Sequence, residues 1–338
     1  YEKIKPIIGY GSYGKVFKIK EKSTMKIYAA KQLNIIPSIA NRRKQLTIKR
    51  EVDILSKIMH PCIMKLIGYS PVNFEDKEKL LIITEYVKNG SLDQILQIER
   101  NEGCISFWND TMRLINIYGI ASAMSYLHSR NIIHRDIKPV NILVDEYLFP
   151  KVCDFGFSKF LSVDESINNH QVDSDDKGTP RYAAPEIYNG DKHTTAVDVY
   201  SFAILVYEIM TKTIAFEGKT DFNIMNIVSI EERRPEFTKE IPNAYKNLIE
   251  KCWNQNPVER LTFDMIVKDL KTNPNYITEN VDANLFHAYI NIIESQQKGI
   301  DTNDIQNTMF PKHSVDSLFK DYENKLKNLS KSFSNLDK

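Results

Sequence analysis

The chain has 338 residues, 42% hydrophobic and 26% charged, enough for two or three compact units with a core that needs no staples. Its 45 Lys and Arg stand against 44 Asp and Glu, and the net charge of +1 excludes a global electrostatic pull toward nucleic acid or anionic membrane. The four cysteines, Cys62, Cys104, Cys153 and Cys252, share no C-x-x-C spacing, so neither a zinc site nor a disulfide framework is expected and a reducing, cytoplasmic (intracellular) compartment fits.

The chain opens at Tyr1 with neither a methionine nor a secretory pattern, as a piece of a longer protein would. Residues 1–35 read as a small antiparallel sheet. Gly9, Gly11 and Gly14 frame Tyr10, Ser12 and Tyr13, and Phe17 and Ile19 then alternate with lysines as in a half-buried strand. A second strand, Ile27 to Leu33, carries Lys31. A glycine run of this form has three readings. A dinucleotide fingerprint needs a helix after the glycines, where a strand follows here; a Walker loop needs a hydroxyl where Val16 stands. A hairpin whose N–H groups fold over phosphates, with a lysine on the next strand but one, fits, with Lys31 as the lysine.

Apolar spacing from Lys44 to Met59 suits an amphipathic helix bearing Glu51, ended by His60-Pro61. Taken alone Glu51 is a solvated glutamate; facing Lys31 it would fix the ammonium. Strands are expected around Ile63 to Gly68 and Leu80 to Tyr86, then a turn at Asn89-Gly90-Ser91 that caps a short helix from Leu92. The chain crosses between lobes here, and its exposed backbone could pair with a purine edge. Residues 107–129, with Phe107, Leu114, Ile117, Ile120, Ala121, Met124 and Leu127 at helical intervals, predict a long buried helix, and His128 reads as a structural or surface histidine.

His134 to Asn141 reads His-Arg-Asp-Ile-Lys-Pro-Val-Asn, and Asp154-Phe155-Gly156 follows. In such a loop Asp136 can hold an attacking hydroxyl, Lys138 can steady a transferring phosphoryl group, and Asn141 can grip a divalent cation. Cys153, next to Asp154, should line the same cleft. No run reaches the roughly 18 apolar residues of a membrane span; the best, Ala203 to Met210, is short and contains Glu208.

The glycine loop, Lys31, Glu51, His134-Arg135-Asp136, Asn141, Asp154-Phe155-Gly156 and Ala184-Pro185-Glu186 occur in the order and spacing of eukaryotic protein kinases, which residues 4–270 resemble. The resemblance implies an α+β, bilobal protein-kinase fold: a small β-rich N-lobe with one regulatory helix, and a larger, mostly helical C-lobe. It implies a kinase domain over 1–272, with N-lobe 1–86, hinge 85–90 and C-lobe 91–272, and a helical extension of unknown role over 273–338. By the same resemblance Asp136, Lys138, Lys31 and Glu51 are catalytic and Asn141 and Asp154 bind Mg²⁺. ATP would be held by Ile8, Gly9, Gly11, Ser12, Tyr13, Gly14, Val16, Ala29, Lys31, Thr84, Glu85, Val87 and Leu143. Leu55, Leu66, Phe155 and His134 match the stack joining the lobes, Asp198 should brace the catalytic loop, and Glu186 should pair with Arg260.

Lys138 and Gly178-Thr179-Pro180-Arg181-Tyr182 resemble serine/threonine kinases, as Phe157 resembles those favouring serine. Thr84-Glu85-Tyr86, Ser201-Phe202 and Cys252 to Arg260 resemble tyrosine kinases, and the mixture is similar to the tyrosine-kinase-like group of serine/threonine kinases. Tyr200, Ala203 and Leu261 depart from the family's usual Trp, Gly and Pro, which puts local packing in question and leaves ATP and metal positions untouched. The implied partners are a protein substrate with Ser or Thr, and an activating kinase or autophosphorylation on residues 158–179. There Ser162, Ser166 and Ser174 are candidate sites, phosphorylation near Ser174 is expected to order the segment through Arg135, and Thr179 is expected to contact the substrate loop and Lys138. No nucleic acid and no membrane span is implied.

Two amphipathic segments, about Val281 to Ile293 and Val315 to Leu336, close the chain. The second reads as a short coiled coil, a helix packed back on the kinase, a linker or a membrane-surface helix, and its partner is unknown. The rivals to an active kinase are a pseudokinase, which would lack one of Lys31, Asp136, Asn141 and Asp154, a dual-specificity kinase, and a small-molecule kinase, against which Ala184-Pro185-Glu186 argues.

Overall fold

The computed structural model describes residues 1–11, 14–33, 51–75, 77, 79–101, 103, 105, 107–161, 179–191 and 193–300. Its N-terminal part is a five-stranded antiparallel sheet of β1 (Glu2–Gly11), β2 (Gly14–Lys20), β3 (Ile27–Leu33), β4 (Leu66–Ser70) and β5 (Leu81–Glu85), in the order β1-β2-β3-β5-β4. The alternation in β2 does what it predicts: Phe17 and Ile19 turn inward onto Ala30 and Ile83 to form a small core of their own. Gly11 pairs with Gly14 at the β1–β2 hairpin, and a Cβ on Gly14 would stand 2.0 Å from the Gln32 carbonyl oxygen, so only glycine lets β2 lie this close to β3.

The helix α1, described over residues 51–57, lies between β3 and β4; the rest of the helix expected from Lys44 lies outside the described residues. The strand expected at Ile63 begins later, at Leu66. Residues 62–64 are drawn off to the C-terminal half, where Met64 N–H donates to Val152 O (2.9 Å) and Ile63 bridges Val152. Those backbone groups cannot also serve the N-terminal sheet.

The larger half is helical, with α2 (Leu92–Arg100), α3 (Asp110–His128), α4 (Pro185–Asn189), α5 (Ala196–Thr211), α6 (Asp221–Ser229), α7 (Asn243–Cys252), α8 (Phe263–Thr272) and α9 (Ala283–Gln297). Asn109 starts α3 by accepting from Met112 N–H (3.0 Å), so Phe107, expected inside this helix, precedes it and is exposed. Helix α3 is apolar on nearly every side because α5, α8 and α9 surround it. The apolar run Ala203 to Met210 lies inside α5, where core packing accounts for it; no helix among the described residues is long and apolar enough to cross a membrane. Two short ladders, β6 (Ile132–Ile133) with β9 (Lys159–Phe160) and β7 (Ile142–Val144) with β8 (Pro150–Val152), hold the loops that follow β6 and β8. Cys62, Cys153 and Cys252 are buried free thiols, and Cys104 lies outside the described residues.

Glu186 and Arg260 form the expected pair, bidentate at 2.6 and 2.8 Å, and Arg260 also donates to the Ala196 and Asn254 carbonyls. The amphipathic segment after residue 281 is α9, which packs on α3 through Phe286 and Tyr289 against Tyr118. The segment from Val315 lies outside the described residues. Gly119 of α3 admits the Tyr289 hydroxyl: a Cβ there would meet Tyr289 Oη at 2.3 Å and Pro150 Cγ at 2.7 Å. Gly119→Ala is therefore expected to destabilise the fold by about 1–3 kcal/mol through overpacking, despite the better helix propensity of alanine, as read by urea denaturation.

Candidate active site

Three separate elements meet at Lys31. Its Nζ on β3 lies 2.8 and 3.2 Å from the two carboxylate oxygens of Glu51 on α1, and 3.6 Å from Asp154 Oδ1 beyond β8. Glu51 is only 3% exposed, so it is not the solvated glutamate that an isolated helix would present. Burial works against the Lys31 charge, but Glu51 and Asp154 outweigh it and raise the ammonium above its ordinary value. Burial likewise works to raise Asp154; Lys31, the Gly156 N–H, His134 and Lys138 prevail and hold its carboxyl below the usual range. At neutral pH the cluster holds a cationic Lys31 beside an anionic Asp154.

The loop after β6 is built around a left-handed residue. Arg135 sits at φ 69°, which costs a non-glycine residue roughly 1–2 kcal/mol. Asp198 of α5 offsets it: its two oxygens accept from His134 N–H (2.8 Å) and Arg135 N–H (2.7 Å), and one also meets His128 Nε2 at 2.8 Å. Burial opposes the charge on Asp198, but hydrogen bonding and charge from His128, helped by His134, keep its carboxyl below the ordinary value. His128 is thus a structural histidine with a definite task, the clamp on Asp198. His134 is fully buried, takes Asp136 N–H on Nδ1 (3.3 Å), and its Nε2 lies 3.1 Å from Cys153 O, which fixes Nε2 as the donor. Its ring lies edge-on to Phe155 at 5.0 Å, with Leu55 buried and Leu66 half-buried in the same core.

Asp136 is nearly buried with both oxygens engaged. Oδ1 accepts from Thr179 Oγ1 (3.1 Å); Oδ2 accepts from Asn141 Nδ2 (2.7 Å) and lies 2.8 Å from Lys138 Nζ. Lys138 in turn donates to Thr179 Oγ1 at 2.6 Å, the contact expected of that threonine. Asn141 spends its amide nitrogen on Asp136, leaving Oδ1 as its acceptor, and its carbonyl takes Cys153 N–H (2.9 Å), which ties the loop to the strand leading into Asp154. One amide oxygen and one carboxylate are hard donors too few to hold a cation alone, and the described residues contain no cluster of three or more His, Cys, Asp or Glu. That set fits Mg²⁺, which keeps few protein ligands and takes the rest from phosphates and water.

Of the remaining expected positions, Val16, Ala29 and Leu143 are half-buried on strands whose neighbouring side chains are in the core, Thr84 is buried, and Val87 is half-buried beyond β5. Val16 pairs in register with Lys31, and Ala29 with Thr84. Gly9 and Ile8 lie on β1, and the Ile8 side chain is exposed. Glu85 turns its carboxylate to Lys65 N–H (2.7 Å) and Lys151 (3.3 Å), so only its backbone faces the expected slot. Ser12, Tyr13 and the candidate phosphosites Ser162, Ser166 and Ser174 lie outside the described residues. Sequence reasoning did not find Lys151, His128 as a clamp, or Ser158, which donates to the His134 carbonyl (3.2 Å); each is a lone polar residue with no spacing signal.

Residues 1–270 match the family described as protein kinase domain. The chain belongs to the protein kinase family. Its kinase domain is 36% identical over 265 residues to the RGS domain-containing serine/threonine-protein kinase A of Dictyostelium discoideum, covering 78% of this chain and 22% of that protein. It is 33% identical over 280 residues to a putative serine/threonine-protein kinase/receptor of Acanthamoeba polyphaga mimivirus, 81% of this chain and 16% of the relative. The dual specificity protein kinase shkC of Dictyostelium discoideum is 31% identical over 267 residues, 78% and 50% of the two chains. The chain thus spans half or less of the length of these relatives.

The Asp198 clamp gives a pH-dependent test. Asp198→Asn is expected to cost the kinase domain about 3 kcal/mol at pH 7, because His128 and the strained loop lose their charged partner. The carboxyl is depressed on folding, so its stabilisation is complete above the ordinary value of 3.8 and is lost as pH falls through the lower folded value. The stability gap between wild type and Asp198→Asn, read by urea denaturation, should therefore shrink in strong acid.

Proposed function

We propose that the protein is an active serine/threonine protein kinase that transfers the ATP γ-phosphoryl group to protein hydroxyls, and that it belongs to the tyrosine-kinase-like group. The observation that carries this reading is the meeting of Lys31, Glu51 and Asp154 beside a loop in which Asp136, Lys138 and Asn141 contact one another. The four residues a pseudokinase would be expected to lack are all there.

Asp136 orients the substrate hydroxyl and takes its proton, at a carboxylate already positioned by Asn141 and Thr179. Lys138 sits where it neutralises charge on the transferring group. Lys31, kept charged and held by Glu51, binds the α- and β-phosphates, and the β1–β2 hairpin supplies backbone N–H groups above them. Val16, Ala29 and Leu143 enclose the adenine ring, whose edge meets the backbone of residues 85–87. Mg²⁺, held by Asn141 Oδ1 and Asp154, neutralises phosphate charge when bound. Phosphoryl transfer asks chiefly for positioning and charge neutralisation, which this set of residues can supply without a covalent intermediate.

The proposed domain runs over 1–272, in keeping with the family match over 1–270, with 273–338 as an extension. The reading implies an intracellular site of action, where ATP and protein substrates are found. A second reading, dual specificity, follows from the printed name of one relative.

Radiolabelled ATP should transfer phosphate to a serine-rich protein in the presence of magnesium. Asp136→Asn should lower that transfer by at least about 10²-fold while nucleotide binding persists. Absence of transfer by the wild-type chain, or equal rates in the variant, would overturn the proposal. Phosphotyrosine among the products would mark dual specificity.

A further inference from the structure

We infer that α9 positions the catalytic centre: through Tyr289 and Gln297 it fixes loop 58–63, and through that loop the placement of Glu51 against Lys31. This inference rests on the kinase reading above. Loop 58–63 follows α1 directly, so it sets where the helix bearing Glu51 ends. Its other face rests on β8, where Val152 N–H donates to Cys62 O (2.8 Å) and Met64 N–H donates to Val152 O (2.9 Å). Asp154 comes just after β8. The helix bearing Glu51 and the strand leading to Asp154 therefore both adjoin one short loop.

Helix α9 grips that loop at two points. Tyr289 enters the pit left by Gly119, lies 4.5 Å from the Phe149 ring, and brings its hydroxyl to 3.3 Å from Cys62 Sγ. Burial pushes the Cys62 thiol up to about 12, so it stays an uncharged partner. At the last turn, Gln297 Nε2 lies 2.7 Å from His60 Nε2, and Ser122 Oγ of α3 lies 3.2 Å from the same ring nitrogen. His60 Nδ1 already accepts Cys62 N–H (3.0 Å), so the neutral ring must carry its proton on Nε2. Ser122 Oγ can accept that proton, and so can the Gln297 amide oxygen once the amide is turned end for end toward the ring. Burial, with Lys151 and Arg130, pushes His60 down to about 3, so the ring stays neutral under ordinary conditions.

The far end of α9 is anchored independently. Asp282 N–H donates to Thr111 Oγ1 (2.9 Å), and Asp282 Oδ1 caps Leu285 N–H (3.0 Å). The helix is thus held to α3 at its start, and near its end Glu294 pairs with Lys271 of α8 while Ile292 and Ile293 stay in the core. Gln297 is largely exposed, which makes it a site where substitution spares the core.

The test uses the full 338-residue chain carrying Gln297→Ala or Tyr289→Phe, each alone and combined with Glu51→Gln. Turnover should fall about three- to tenfold in the single variants, with the peptide KM unchanged and the melting temperature nearly so. In the Glu51→Gln background the same substitutions should cause no further loss, because the partner through which they act is gone. Hydrogen exchange should accelerate at the Cys62 and Val152 amides. Equal fractional losses in both backgrounds, or unchanged exchange at those amides, would overturn the inference. If the wild-type chain transfers no phosphate, the kinase reading fails instead, and the exchange measurement alone decides whether α9 holds the loop.

Discussion

A buried ammonium held between two carboxylates is the constraint on which this molecule turns. Taking the Lys31 charge out of water is unfavourable, and it is tolerated only because α1 delivers Glu51 and the segment after β8 delivers Asp154. Glu51, from the same half as Lys31, makes the closer contact, and Asp154 adds a second one from the C-terminal half. The cluster therefore couples the sheet, α1 and the C-terminal ladders into one arrangement, and any movement of α1 away from β3 leaves a partly buried charge short of a partner.

A second buried charge does comparable work below it. Asp198, buried on α5, holds the backbone of the loop after β6 in a conformation that Arg135 would not adopt unaided. Asp136 is presented from that loop, and Asn141, through its carbonyl, passes the constraint to Cys153 and hence to Asp154. The loop bearing Asp136 and the segment bearing Asp154 are tied together through the backbone, so their spacing does not rely on flexible side chains.

Helix α9 extends this logic past the family match, which ends at residue 270. Its buried Phe286, Tyr289, Ile290, Ile292 and Ile293 make it part of the main core. The one glycine of α3 beneath it is shaped by the Tyr289 hydroxyl. A segment outside the matched region is thus continuous with the packing that supports the site.

The sequence by itself determined the family and the order of its motifs. Spacing grouped Asp136, Lys138 and Asn141 in one loop with Asp154 following, alternation oriented Phe17 and Ile19, and the family resemblance paired Lys31 with Glu51 and Glu186 with Arg260. Periodicity and motif spacing are local signals, and these features are local or repeated across a family. Only the tertiary structure decided that residues 62–64 would abandon β4 for β8, that the Glu85 side chain would turn to Lys151, that His128 would clamp Asp198, and that α9 would reach His60 and Cys62. Each of these is a contact between single residues distant in the chain, and no period or spacing in the sequence encodes that choice.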